Sequence, residues 1–219
     1  MFYRFFVLIV LFPGVISAQR AHKHSYSLPK VGTMIVNTYF VTDSSGALVP
    51  KSVADPDLND DTLFVIKSGV RFLGRDNCVA LAAKSHPDTI LISYASNGDM
   101  YMRGLNKDSA WNVMPVGRAP GKKSTDILPV DSGIYFGKDY NMPHKRTMEV
   151  LGHDTASVGS KVYDCIKLQV VDIRQYQEID WQQGLLFWYS PELGYFVRQN
   201  MGWNGKYFLN QQLKVYSDK

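Results

Sequence analysis

The chain has little cysteine: two residues, Cys78 and Cys165, in 219. They do not form a Cys-x-x-Cys pair, which excludes a dense disulfide scaffold and a thiolate metal centre. No Gly-x-Ser-x-Gly elbow is present, so the commonest sequence mark of a serine hydrolase is missing. The segment 117–124 (GRAPGKKS) has the Lys-Ser end of a phosphate loop, but only three residues stand where four are needed, and Pro120 would remove a cradling N–H. Strong charge of one sign is also missing. Removing Arg4 with the leader from the 24 basic residues leaves 23 against 20 acidic ones, a balance of +3. Lys122-Lys123 and 143–146 (PHKR) are too short to form a basic patch, so no nucleic-acid partner is expected. There is no Asn-x-Ser/Thr sequon, and no apolar run long enough to cross a membrane follows the N-terminal leader.

What is present begins with that leader. Met1 to Ala18 has a positive residue, Arg4, then an apolar run from Phe5 to Phe12, a Pro13-Gly14 break and a small residue, Ala18, at a cleavage position. It reads as a signal peptide, and the protein as exported, to the periplasm or the extracellular space. Residues 19–30 read as a flexible leader. His22 and His24 within it are too few for a metal site. Residues 31–219 read as a single β-rich domain, with a lobe boundary conceivable at 117–124.

Strand signals dominate this domain. Thr33 to Thr42, Thr62 to Ile66, Val70 to Leu73, Asn77 to Lys84, Trp111 to Val116, Ile127 to Phe136 and Arg146 to Val158 are short runs rich in branched and aromatic residues, separated by turn residues. Asp43 to Gly46 is a turn. Asp88 to Ser96 alternates, with Ile90, Ile92 and Tyr94 on one face. Asn97-Gly98 predicts a two-residue type I′ turn that places Tyr94 opposite Tyr101. Asn204-Gly205 predicts a second, pairing Met201 with Phe208 and Trp203 with Lys206, with Phe196 and Leu213 on the other face. Both faces of that hairpin are partly apolar, so its core side is open. Tyr176, Ile179 and Gln183 share helical spacing, so a short helix between 175 and 183 is allowed. The expected fold class is all-β: a curved antiparallel sheet or half-barrel, in one or two lobes, with at most one or two short helices.

The last third carries the clearest pattern. From Val162 to Arg174, Ile166, Leu168 and Val170 alternate with Cys165, Lys167 and Gln169, the period of a strand with one buried face. Leu185 to Tyr189 is an aromatic-rich strand, and Pro191-Glu192-Leu193-Gly194 should turn the chain, Gly194 supplying a positive φ. The run Val158-Gly159-Ser160-Lys161-Val162-Tyr163-Asp164-Cys165-Ile166-Lys167-Leu168, followed by Trp188-Tyr189-Ser190-Pro191-Glu192-Leu193-Gly194, resembles a bacterial family of periplasmic or secreted domains of unknown function with a Trp-Tyr-Ser-Pro-x-x-Gly signature. The resemblance covers Leu151 to Tyr216. It implies an open, curved antiparallel sheet shaped like the half-barrel of lipoprotein-carrier proteins. It brings no catalytic motif, and Asp164, Pro191 and Gly194, with the turn residues Asn97, Gly98, Asn204 and Gly205, read as architecture.

Chemistry-bearing clusters are weak. Asp55, Asp57 and Asn59 have calcium-loop spacing, but Asp60 stands where that loop needs Gly and Ile66 where it needs Glu. His86 and His144 sit beside prolines. His153 and Asp154 are adjacent on a strand and point to opposite faces, which prevents a direct dyad. Glu149, Glu178, Asp180 and Glu192 show no convergence. Cys78 and Cys165 could pair in an oxidising compartment, a bridge worth roughly 4 kcal/mol in the chain-entropy model, or stand apart as small core residues. The expectation is therefore an exported, non-catalytic cell-envelope protein without cofactor or metal, acting structurally or in assembly through envelope protein partners. The first alternative is a carrier of a lipid or other apolar ligand on the concave sheet face, with Phe187, Trp188, Tyr189, Tyr94 and Tyr101 as ligand-binding candidates. The second is a hydrolase.

Overall fold

The computed structural model describes residues 26–51, 58–83, 89–104, 112–135, 138–176, 179–203 and 206–217. The leader at 1–18, His22, His24, Asp55, Asp57, His86 and the Asn204-Gly205 pair lie outside the described residues. Among the described residues twelve strands form one antiparallel sheet. They are β1 (Met34–Asp43), β2 (Asp61–Phe72), β3 (Arg75–Ala83), β4 (Thr89–Tyr94), β5 (Met100–Gly104), β6 (Asn112–Met114), β7 (Lys123–Tyr135), β8 (Lys138–Val158), β9 (Lys161–Tyr176), β10 (Ile179–Ser190), β11 (Tyr195–Trp203) and β12 (Tyr207–Ser217).

The spatial order is β6-β5-β4-β3-β2-β1-β12-β11-β10-β9-β8-β7. Every neighbouring pair except β1–β12 is also consecutive in sequence. Two six-strand meanders are thus joined back to back by the first and last strands, and β6 and β7 are left as the two edges. Only residues 115–122 connect those edges. Such a segment spans at most about 30 Å when extended, so the sheet must curl until its edges approach. The result is a curved, unclosed sheet whose concave face is the core.

Register depends on the turns, and two differ from the sequence reading. In β4–β5, Tyr94 pairs with Met100 and Ser93 with Tyr101. The loop has three residues: Gly98 N–H donates to Ala95 O at 2.9 Å, Ala95 N–H donates to Asp99 O at 2.9 Å, and Gly98 has φ 85°. This is a type I turn followed by a glycine in the left-handed region, which also favours Asn-Gly. The extra residue shifts the register by one, so Tyr94 and Tyr101 fall on opposite faces. The β11–β12 hairpin shows the same shift: Met201 pairs with Leu209 and Trp203 with Tyr207. Phe196 and Leu213 are both buried in the core. A two-residue turn with both central φ positive occurs instead at Leu73 (44°) and Gly74 (78°), between the paired Phe72 and Arg75.

The helix allowed between 175 and 183 is absent. β9 runs to Tyr176 and β10 starts at Ile179, and these two residues pair directly. Their helical spacing is a coincidence of residues facing each other across a tight hairpin. The Pro191–Gly194 turn forms, with Gly194 N–H donating to Ser190 O at 2.9 Å and Gly194 at φ 63°. Both cysteines are free and buried, Cys78 on β3 and Cys165 on β9, so the disulfide is not formed. Burial pushes the Cys165 thiol up to about 12, which makes it a poor nucleophile.

One core serves both meanders. It takes in Ile35, Leu63, Leu81 and Ile92 from the first and Leu168, Phe187, Tyr189 and Leu213 from the second. A bidentate ion pair reinforces the second: Arg146 Nε donates to Asp172 Oδ1 at 2.6 Å and Arg146 Nη2 to Asp172 Oδ2 at 2.8 Å. Residues 26–30, read from sequence as the end of a flexible leader, cross from one meander to the other. Tyr26 stacks on Tyr94 at 5.8 Å between ring centroids, and its hydroxyl donates to Val116 O at 3.2 Å. Ser27 N–H donates to Pro191 O at 3.1 Å. This strap lies against two turn glycines. A Cβ on Gly98 would come within 2.6 Å of the Tyr26 ring, and one on Gly194 within 1.7 Å of Ser27 O.

Candidate functional site

Alternation along the strands decides which side chains enter the concave face. On β1, Ile35, Asn37 and Tyr39 point inward. Ile35 joins the core, while the next two line a cavity of about 140 Å³. The cross-strand pairs Asn37–Asp61, Tyr39–Gln211, Leu81–Ile90, Ile92–Met102 and Gln199–Gln211 carry this wall across β2, β3, β4, β5, β12 and β11. The floor is fully buried and consists of Asn37, Leu63, Leu81, Ile92, Tyr195 and Phe196. The mouth is half-buried and consists of Tyr39, Asp61, Ile90, Met102, Gln199 and Gln211.

The floor is apolar except for two groups that bond each other. Asn37 Nδ2 donates to Tyr195 Oη at 3.3 Å. Asn37 is 1% exposed, and among the described residues its Oδ1 has no hydrogen-bond partner. A buried amide oxygen left unpaired costs about 1–3 kcal/mol, so its retention beside a cavity needs a reason. The phenols nearby are held neutral. Burial, and then the Asp61 charge, push Tyr39 up to about 12. Burial also raises Tyr195, with the Asp61 charge a lesser contributor. Among the described residues, no Lys, Arg or His lines the cavity. The cavity thus offers an apolar floor, oxygen acceptors and one carboxylate. In size it matches an apolar cavity of about 150 Å³ that takes benzene.

The five aromatic candidates from the sequence go to three places. Tyr94 and Tyr189 meet inside the concave face, and their hydroxyls are hydrogen-bonded to each other. Tyr94 Oη also donates to Gly194 O at 3.3 Å. Burial raises both phenols above their ordinary value. Phe187 packs on Phe196 at 5.3 Å and so backs the cavity floor. Trp188 faces the other way. It is 7% exposed because Lys167 and Arg198, its partners on the two neighbouring strands, each lie 4.9 Å from its ring, and its Nε1–H donates to Asp154 Oδ2 at 2.9 Å. Tyr101 is also on the convex side, with the Arg75 guanidinium 3.0 Å from the ring centroid. These five therefore form a core cluster and two covered convex positions, and none lines the cavity.

Sequence reasoning missed Asn37, Asp61 and Tyr195. The one available signal was a polar Asn in the middle of the apolar run from Met34 to Val41. Of the rejected clusters, Asp154 is held by Trp188 and by Lys167 at 3.3 Å, and these contacts, Trp188 first, lower its pKa. Among the described residues no group of three His, Cys, Asp or Glu could hold a metal, and no helix is long and apolar enough to cross a membrane.

No protein-family model and no curated protein matches the chain. Among solved structures, a protein of YmcC-like fold from Bacteroides fragilis aligns with a TM-score of 0.42 and 11% identity over 89% of this chain and 100% of that one. The hypothetical lipoprotein YmcC from Escherichia coli aligns with a TM-score of 0.41 and 11% identity over 92% of each chain. These are likenesses in general course at low identity, and they assign neither an activity nor a ligand.

Proposed function

We propose that this is an exported, non-catalytic binding protein whose concave-face cavity takes a small molecule or the short apolar end of a larger one. The observation that carries the reading is the buried Asn37 Oδ1, unpartnered among the described residues, in the floor of an otherwise apolar cavity of about 140 Å³. A ligand bonding that oxygen would satisfy it, and the same ligand would cover Leu63, Leu81, Ile92 and Phe196. Export is supported by the leader pattern at Met1 to Ala18. The volume sharpens the lipid-carrier alternative: sites for drug-sized ligands run to about 300–1,000 Å³, so this cavity holds a ring or a short chain rather than a whole acyl chain. The test is ligand-observed NMR on the chain lacking residues 1–18, with a panel of fragments of up to about eight heavy atoms. Binders should appear and should be lost in Ile90→Trp, which fills the mouth from a half-buried position. Equal binding by that variant would sink the site.

A second reading, assembly through envelope partners, is favoured by the edge strand β7, which spans 13 residues and has a strand on one side only. Such an edge accepts a partner's strand. Thr125→Pro on that edge should abolish a partner pull-down if this reading holds, and an unchanged pull-down would remove it.

A further inference from the structure

We infer that the cavity takes a small apolar amine, its ammonium group lying between the Asn37 side-chain oxygen and the Asp61 carboxylate. The inference rests on the cavity being a binding site and names the class of ligand. Asn37 and Asp61 are direct cross-strand partners on β1 and β2, and both line the cavity. Residues directly opposite in an antiparallel pair have Cβ atoms about 5 Å apart, so one donor-bearing head group can reach both. The amide oxygen is buried and lacks a partner among the described residues, which calls for an N–H or O–H donor. The carboxylate selects a cation among such donors.

The lining residues exclude the opposite charge. Among the described lining residues the charged side chain is the Asp61 carboxylate, which repels a ligand carboxylate. The Asn37 amide nitrogen is engaged with Tyr195 Oη, which leaves the oxygen as the atom that calls for a donor. The phenols agree with a donor ligand. Tyr39 and Tyr195 present neutral hydroxyl oxygens and ring faces, and ring faces attract an ammonium group. The apolar part of the ligand is set by the floor. Leu63, Leu81, Ile92 and Phe196 bound a space of about 140 Å³, which suits a benzene-sized body carrying the amine on one carbon.

The experiment compares three probes of nearly equal shape: benzylamine, benzyl alcohol and benzoate. Each is titrated at neutral pH into the chain lacking residues 1–18, by ligand-observed NMR or calorimetry. Benzylamine should bind at least about tenfold tighter than benzyl alcohol, the usual margin of a charge-assisted hydrogen bond over a neutral one. Benzoate should not bind. Asp61→Asn should remove most of the benzylamine advantage and leave benzyl alcohol unchanged, a pattern that loss of folding could not produce. Equal affinity for amine and alcohol, or tightest binding of benzoate, would overturn the amine assignment while leaving the cavity as a site. No binding of any probe to the unsubstituted protein would overturn both.

Discussion

The two ends of the concave face use the same kinds of side chain to opposite effect. At one end Tyr26, Tyr94 and Tyr189 pack ring against ring, with centroids 5.8–6.5 Å apart. Their hydroxyls are satisfied by Val116 O, by each other and by Gly194 O, and Tyr216 Oη donates to Leu193 O at 2.9 Å close by. At the other end Tyr39 and Tyr195 surround a cavity, with a buried amide oxygen beside them. A filled, fully bonded end holds the two meanders together. The incompletely bonded end keeps room for something else. If the proposed site is correct, the polar atom left over is a better guide to it than aromatic content.

The largest effect should come from breaking the filled end. Gly194→Val places a branched side chain at φ 63° and drives its Cβ into Ser27 O. It should destabilise the protein by about 3 kcal/mol or more, read from the chemical denaturation midpoint; an unchanged midpoint would mean that the strap does not lie on this turn. Alkaline pH should come next. The Tyr39 phenol has its folded pKa raised to about 12, above an unfolded value near 10, and Tyr94, Tyr189 and Tyr195 are raised in the same direction, chiefly by burial. A raised folded pKa contributes stability that is complete below the unfolded pKa and is lost as pH climbs through the folded one. Tyr39 alone should therefore remove on the order of 2 kcal/mol between pH 10 and 12. Thermal midpoints across that range, followed with phenolate absorbance, would check it; phenols that ionise near pH 10 without loss of structure would contradict the burial.

Tyr189→Phe should cost about 1 kcal/mol by deleting one hydroxyl pair, since Tyr94 keeps its bond to Gly194 O. A cost near zero would mean that the pair adds nothing to the packing. The smallest change in stability should come at the cavity. Asn37→Leu removes the unpartnered oxygen and puts an apolar side chain in an apolar floor, so stability should stay within about 1 kcal/mol of the parent while fragment binding is lost. Lost stability with intact binding would reverse the contrast between the two ends.

Much of the sheet was legible from alternation. Ile90, Ile92 and Tyr94 share a face as expected, and Pro191 to Gly194 turns the chain. Registers were less legible for a definite reason. Asn-Gly suits both the two-residue turn and the last two positions of a three-residue loop, and only the backbone tells them apart. That one-residue ambiguity moved Tyr101 from the face of Tyr94 to the opposite one. The covering of Trp188 by Lys167 and Arg198 likewise depends on register. The cavity was not legible because its lining comes from seven strands, and Asn37 and Tyr195 meet across 158 residues of sequence.

The strap at 26–30 also bears on the order in which the molecule is made. Its contacts reach Gly98, Val116 and Gly194, so it has no complete binding place until β11 and its preceding turn have formed. Such non-local contacts close late and slow the folding of β-sheets. The segment directly after the leader region is therefore among the last to be fixed. In a chain made from its N-terminus, the first described segment thus waits for most of the sheet before its contacts can close.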